Sequence, residues 1–185
     1  LLDEYNIKAT FFVTYKDDDS SISIYKEIVN RGHKIGIHTS SHVYDEIYSS
    51  IDAYLDDFNK VFTHIYDITG VKPDIFRFPG GSINPYNVSI HKEIIAEMLR
   101  RGFTYYDWNV DSGDGFVDST KTSIIESVKN RSKNFNKVIV LMHDSDYKQN
   151  TYQALPTIID YLNENNYNIE KLDSTIVPII FAYKD

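Results

Sequence analysis

Two histidines four residues apart, in His38-Thr39-Ser40-Ser41-His42, are the most chemically specific feature of this sequence. If the segment makes a helical turn, both rings project from one face and can share a metal, which is why such pairs recur in zinc sites. Two neutral imidazoles then need one further ligand, usually a carboxylate, to leave an open position for water. Arg77 stands before a Pro79-Gly80-Gly81 turn. Glycine there lets backbone N–H groups approach a ligand closely, and such donors stabilise an oxyanion. Asp111-Ser112-Gly113-Asp114 offers two carboxylates, and His143-Asp144 closes an apolar run. A carboxylate can orient a histidine and keep it available as a proton donor. Asp114 reads equally well as a turn residue. Taken singly, each group also has a plain reading as a loop histidine, a surface salt bridge or a satisfied core histidine.

What sets these residues apart is where the secondary structure must put them. Short apolar runs over residues 9–13, 34–38, 75–78, 104–110 and 138–142 alternate with helical periodicity over 21–30, 50–69, 90–101, 119–131 and 152–165. Residues 176–183 read as a last strand or an extended tail. Regular strand–helix alternation predicts parallel strands joined by right-handed crossovers, in a β/α barrel or an open doubly wound sheet. Both architectures collect functional groups at the C-terminal ends of the strands. His38, Arg77, Asp111 and His143 fall at four consecutive strand ends, so the alternation predicts one rim carrying all four. His33, His64 and His91 lack such placement and read as structural, and the Asp17-Asp18-Asp19 run reads as a solvated loop.

Composition narrows the partners. Nineteen Lys and Arg against 27 Asp and Glu leave a net charge of −8, which argues against a nucleic-acid partner. The absence of cysteine excludes disulfides, thiolate metal sites and a Cys nucleophile. No apolar run approaches the roughly 20 residues that span a bilayer. No linker or internal repeat divides residues 1–185, and the expectation is a single domain. Leu1 to Asn6 reads as the tail of a helix without a start signal, so the expectation is a chain that has lost something upstream.

Read together, these segments resemble the polysaccharide deacetylases of the NodB-homology type, carbohydrate esterase family 4. Gly32-His33-Lys34-Ile35-Gly36-Ile37-His38-Thr39-Ser40-Ser41-His42 is similar to that family's second motif. Arg77-Phe78-Pro79-Gly80-Gly81 resembles the third, Asp111-Ser112-Gly113-Asp114 the fourth and His143-Asp144 the fifth. The resemblance implies a distorted (β/α) barrel, with His38 and His42 as ligands of a divalent metal, zinc in type, that polarises an acetamide carbonyl and activates water. It further implies His143 as the acid protonating the leaving amine, Asp111 as its orienting partner, Arg77 as partner of the catalytic base and the Gly80 N–H as an oxyanion donor. The family's opening T-F-D-D motif, source of the base and a third ligand, has no counterpart here, so the expected domain lacks its first strand. Gly80 and Gly115 replace a common Tyr and Trp. The expected activity is removal of N-acetyl groups from a cell-wall polysaccharide, peptidoglycan N-acetylglucosamine, by a monomer at the cell surface or outside it. The rival expectations are a glycan-binding domain without turnover, which 15 Tyr, 10 Phe and one Trp would suit, and an O-acetyl xylan esterase.

Overall fold

The computed structural model describes residues 1–182, so Tyr183, the end of the proposed last strand, lies outside the described residues. The chain packs as two compact units, one of Leu1–Ile7 and Trp108–Glu170, the other of Lys8–Asp107 and the segment beginning at Lys171.

The larger unit is a parallel sheet with helices. Strands β1 (Thr10–Thr14), β2 (Lys34–Thr39), β3 (Ile75–Phe76) and β4 (Thr104–Tyr105) lie in the order β1-β2-β3-β4. Helix α1 (Asp19–Asn30) connects β1 to β2, and the long helix α3 (Ile51–Thr69) follows the one-turn helix α2 (Tyr44–Ile47). Helix α4 (His91–Arg100) leads into β4. Parallel strands covered by helices read as unbroken apolar runs, and Ile35, Ile37, Ile75 and Phe76 are accordingly at most 2% exposed. Tyr54, Phe58, Val61 and Ile65, at helical spacing along α3, pack into the same core. Gly36 is required by this packing: a Cβ there would lie 2.7 Å from Phe12 Cδ1 and 3.1 Å from Ile75 Cγ1.

The smaller unit holds parallel strands β5 (Val110–Asp111) and β6 (Val140–Leu141), with Val110 opposite Val140. Helices α5 (Lys121–Ser132) and α6 (Gln149–Glu164) pack on one another. They share a core of Val110, Ile124, Val128, Ala154, Ile158 and Leu162. A Thr120–Ser123 capping box opens α5. Leu1–Ile7 closes with Ile7 N–H donating to Leu2 O, Asn6 N–H to Asp3 O and Asn6 at φ 52°, the bonding that terminates helices.

One difference from the sequence expectation has an identifiable cause. Residues 104–110 do not form one strand, because after Tyr106 N–H donates to Phe76 O the Asp107 amide is diverted from that sheet. The Tyr106 hydroxyl donates to the Asp173 and Ile176 carbonyls, at 2.6 and 2.7 Å. Asp107 N–H donates to Ile179 O. Residues 176–182, tied down by the same bonds at Ile176 and Ile179, form no strand and follow the tail alternative of the sequence expectation. Among the described residues no helix is long and apolar enough to cross a membrane.

Candidate active site

In the larger unit, the histidine pair is presented by an irregularity in the sheet. β1 and β2 run in register until Val13 opposite Ile37, after which Thr14 pairs with Thr39. His38 is therefore the extra residue of a bulge, a device that re-aims a side chain at a strand end. The anticipated helical turn is absent: Ser40 and Ser41 form a bend, and His42 sits in the left-handed region at φ 56°. A non-glycine residue held there is uncommon and concentrates at functional sites. The bend still brings the rings together, with centroids 5.1 Å apart.

The two imidazoles are donors of the type a zinc-like cation takes, and form part of such a set. Rings whose nitrogens ligate one tetrahedral ion at 2.0–2.1 Å stand with centroids about 5 Å apart. His38 Nδ1 lies 2.8 Å from the Arg77 carbonyl oxygen. A carbonyl only accepts, so Nδ1 carries the proton and Nε2 the lone pair, the tautomer that ligates metals. Among the described residues no group of three or more His, Cys, Asp or Glu is placed to hold a metal, so the pair supplies two ligands of the usual three.

Arg77 follows β3 and is only 8% exposed. Its Nε donates to Tyr106 O at 3.0 Å, and its guanidinium lies 4.5 Å over the Phe12 ring. Burial lowers its pKa to about 10 while the Asp107 charge opposes the shift, so Arg77 remains cationic at neutral pH. Asp107 itself is fully buried and satisfied by Ser82 N–H, the Ser82 hydroxyl and Phe181 N–H. The Pro79-Gly80-Gly81 turn is held by Tyr48, whose hydroxyl donates to Pro79 O at 2.7 Å, and by Asn84 and Asn87. Gly80 has φ 74°, and a Cβ there would meet Tyr44 and Asn84 at 3.2 Å. Among the described residues the Gly80 N–H has no acceptor, as an oxyanion donor requires.

In the smaller unit, the carboxylate against His143 is that of Asp114, which corrects the expectation for Asp111. His143 Nδ1 lies 2.8 Å from Asp114 Oδ1, and His143 N–H donates to Oδ2 at 2.7 Å. Thr151 Oγ1 completes the set by donating to Oδ2 at 2.9 Å. Asp111 instead turns its carboxylate back onto Gly113 N–H at 2.8 Å, a local Asx turn. The three-residue offset is decisive, because the turn that Asp111 stabilises is what delivers Asp114 to the ring. Burial pushes the Asp114 carboxyl up, but hydrogen bonds and charge from His143 and the Thr151 hydroxyl outweigh it and hold the pKa below the ordinary value. The His143 side chain is half exposed beside a fully buried Asp114 side chain. Gly115 lies beside that ring: a Cβ there would stand 3.5 Å from His143 Cε1, in ordinary van der Waals contact.

The remaining histidines are held structurally: His33 Nδ1 accepts from Ala9 N–H, and His64 Nε2 meets Lys16 O at 2.8 Å. Asp18 in the acidic run is the N-cap of α1. Sequence reasoning missed Asp57, Asp107 and Thr151. Thr151 and Asp57 lie on helices among other polar residues, and Asp107 inside an apparent strand, so no spacing signal marks them.

A sequence model described as polysaccharide deacetylase matches residues 1–103. A putative polysaccharide deacetylase, YheN of Bacillus subtilis, is 29% identical over 183 residues, covering 97% of this chain and 62% of that protein. The chain thus spans about six tenths of that relative's length. The crystal structure of the catalytic domain of a peptidoglycan N-acetylglucosamine deacetylase from Eubacterium rectale superposes with a TM-score of 0.90 at 32% identity, over 100% of this chain and 84% of the other. A CE4 family pseudoenzyme from Bacillus anthracis also superposes, with a TM-score of 0.74 at 25% identity, over 92% of this chain and 56% of the other.

Proposed function

Because the chain belongs to the polysaccharide deacetylase family and carries its α/β fold of parallel strands, we propose that it serves a metal-dependent hydrolase removing N-acetyl groups from cell-wall glycan, peptidoglycan N-acetylglucosamine in particular. The observation that carries this reading is the histidine pair, with rings 5.1 Å apart and the His38 tautomer set by the Arg77 carbonyl. On this reading the protein acts at the cell surface or outside it.

His38 and His42 would hold a zinc-type cation, which when bound polarises a carbonyl and lowers the pKa of water. The Gly80 N–H is placed to donate to the oxygen on which negative charge develops. Arg77 offers a permanent buried charge to a carboxylate base. Asp114, ionised at neutral pH, accepts the His143 Nδ1 proton and so assigns proton donation to Nε2. In the doubly protonated ring Nδ1 keeps its proton, bonded to Asp114, and the Nε2 proton is the one that would pass to the departing amine, leaving the neutral imidazole, as the family resemblance suggests.

The test is acetate release from peptidoglycan fragments and chitin oligomers, beside O-acetyl xylan, using the protein at its full natural length. His143→Ala should lower release by on the order of 10²–10⁴ without altering the circular dichroism spectrum. Wild-type-like turnover in that variant would sink the assignment of the acid. A second reading, glycan binding without turnover, is favoured by the absence of a third ligand near the histidines among the described residues. It predicts glycan retention with no acetate released from any of the three substrates.

A further inference from the structure

One side chain outside every motif controls the histidine loop. Asp57, in the second turn of α3, accepts three hydrogen bonds from the residues between His38 and His42. Its Oδ2 takes the Thr39 hydroxyl and the Ser40 N–H, each at 2.7 Å, and its Oδ1 takes the Ser41 N–H at 2.9 Å. Thr39 Oγ1, 3.3 Å from His42 N, accepts in turn from that N–H. One carboxylate therefore constrains the whole bend, directly at three residues and through Thr39 at the fourth.

The physical need for such a clamp follows from the backbone. His42 at φ 56° is in a region that L-residues with a Cβ enter at a cost, and surroundings must over-determine it. Bonds from consecutive N–H groups to an ionised carboxylate are stronger than neutral ones. The clamp is itself rigidly mounted, because Tyr54, Phe58 and Val61 on either side of Asp57 are buried. α3 thereby transmits the register of the core to the loop.

We propose that Asp57 is the positioning residue of the metal pair, holding His42 in the left-handed conformation so that its ring and that of His38 converge. This rests on the metal reading of the pair, and the experiment separates the two. Zinc affinity is measured by chelator competition on the protein at its full natural length, for wild type, Asp57→Ala, Asp57→Asn, the neighbouring control Asp56→Asn, and His42→Ala. Circular dichroism and melting of the metal-free forms report folding. Groups that hydrogen-bond and orient metal ligands are worth about 10–100-fold in affinity, and Asp57→Ala should lose that much. Asp57→Asn, which keeps an oxygen acceptor, should lose less and carries the test if the alanine variant does not fold. Asp56→Asn, altering an exposed side chain, should match wild type. Zinc affinities of both Asp57 variants within twofold of wild type, with His42→Ala weakened, would overturn the positioning role while leaving the metal reading intact. A lower melting temperature with unchanged zinc affinity would likewise overturn it, reducing Asp57 to a structural tie. Wild type no better than His42→Ala would remove the metal reading and the proposal with it.

Discussion

Asp114 and Asp111 are chemically identical and three residues apart, yet only one meets His143. Asp111 spends its carboxylate on the Gly113 N–H, whereas Asp114 is buried against the imidazole and receives three donors. The two substitutions should therefore separate. Asp114→Asn places an amide against Nδ1 and loosens the ring, lowering acetate release on the order of 100-fold, the scale of a small misplacement of a catalytic group. Asp111→Asn keeps an oxygen for the Gly113 N–H and should retain activity within a few fold. Initial rates on one N-acetylated oligomer decide it, and equal losses would contradict the assignment. The motif was legible from the sequence, since two carboxylates near a strand end announce a histidine partner. Which carboxylate turns inward was not, because that depends on the handedness of a four-residue turn.

At the scale of elements, helix α3 links the core to the histidine loop. Ser50 is its N-cap, accepting from Ala53 N–H at 3.0 Å, and Gly70 ends it at φ 72° in the left-handed conformation. Ser50→Ala should lower stability by about 1 kcal/mol, read as a shift of the urea midpoint without a change in slope. A null effect would mean that buried Tyr54, Phe58, Val61 and Ile65 fix the helix start without the cap. The periodicity of those four residues made α3 readable to within one residue at its start. Strands fared differently. Residues 104–110 have strand composition throughout, but the Tyr106 hydroxyl and the Asp107 amide find partners more than 65 residues away. Such long-range bonds leave no local trace. The bulge at His38 is equally silent, since it arises from a register slip between two strands that each look regular.

For the molecule as a whole, charge and titration set the working range. A net charge of −8 comes mostly from exposed carboxylates with no bearing on the site, but Asp114 contributes to stability. Its folded pKa lies below the ordinary carboxylate value, because the His143 bonds and charge outweigh burial. The sign follows: the stabilisation is complete above the ordinary carboxylate value and is lost as pH falls through the lower folded one. Unfolding free energy measured from neutral pH down past 3.8 should thus fall more steeply in wild type than in Asp114→Asn. Parallel profiles would show that Asp114 titrates normally. By itself the sequence determined the alternation of strands and helices, the identity of the histidine pair and of Arg77, Gly80 and His143 as candidates, and the family, because each is written in local spacing and residue type. Only tertiary structure decided that Asp114 faces His143, that His38 occupies a bulge and that Asp57 clamps the loop. Each of those depends on which backbone amides come within three ångströms of a carboxylate or a neighbouring strand, and that distance is set by the packed core, not by neighbours in the chain.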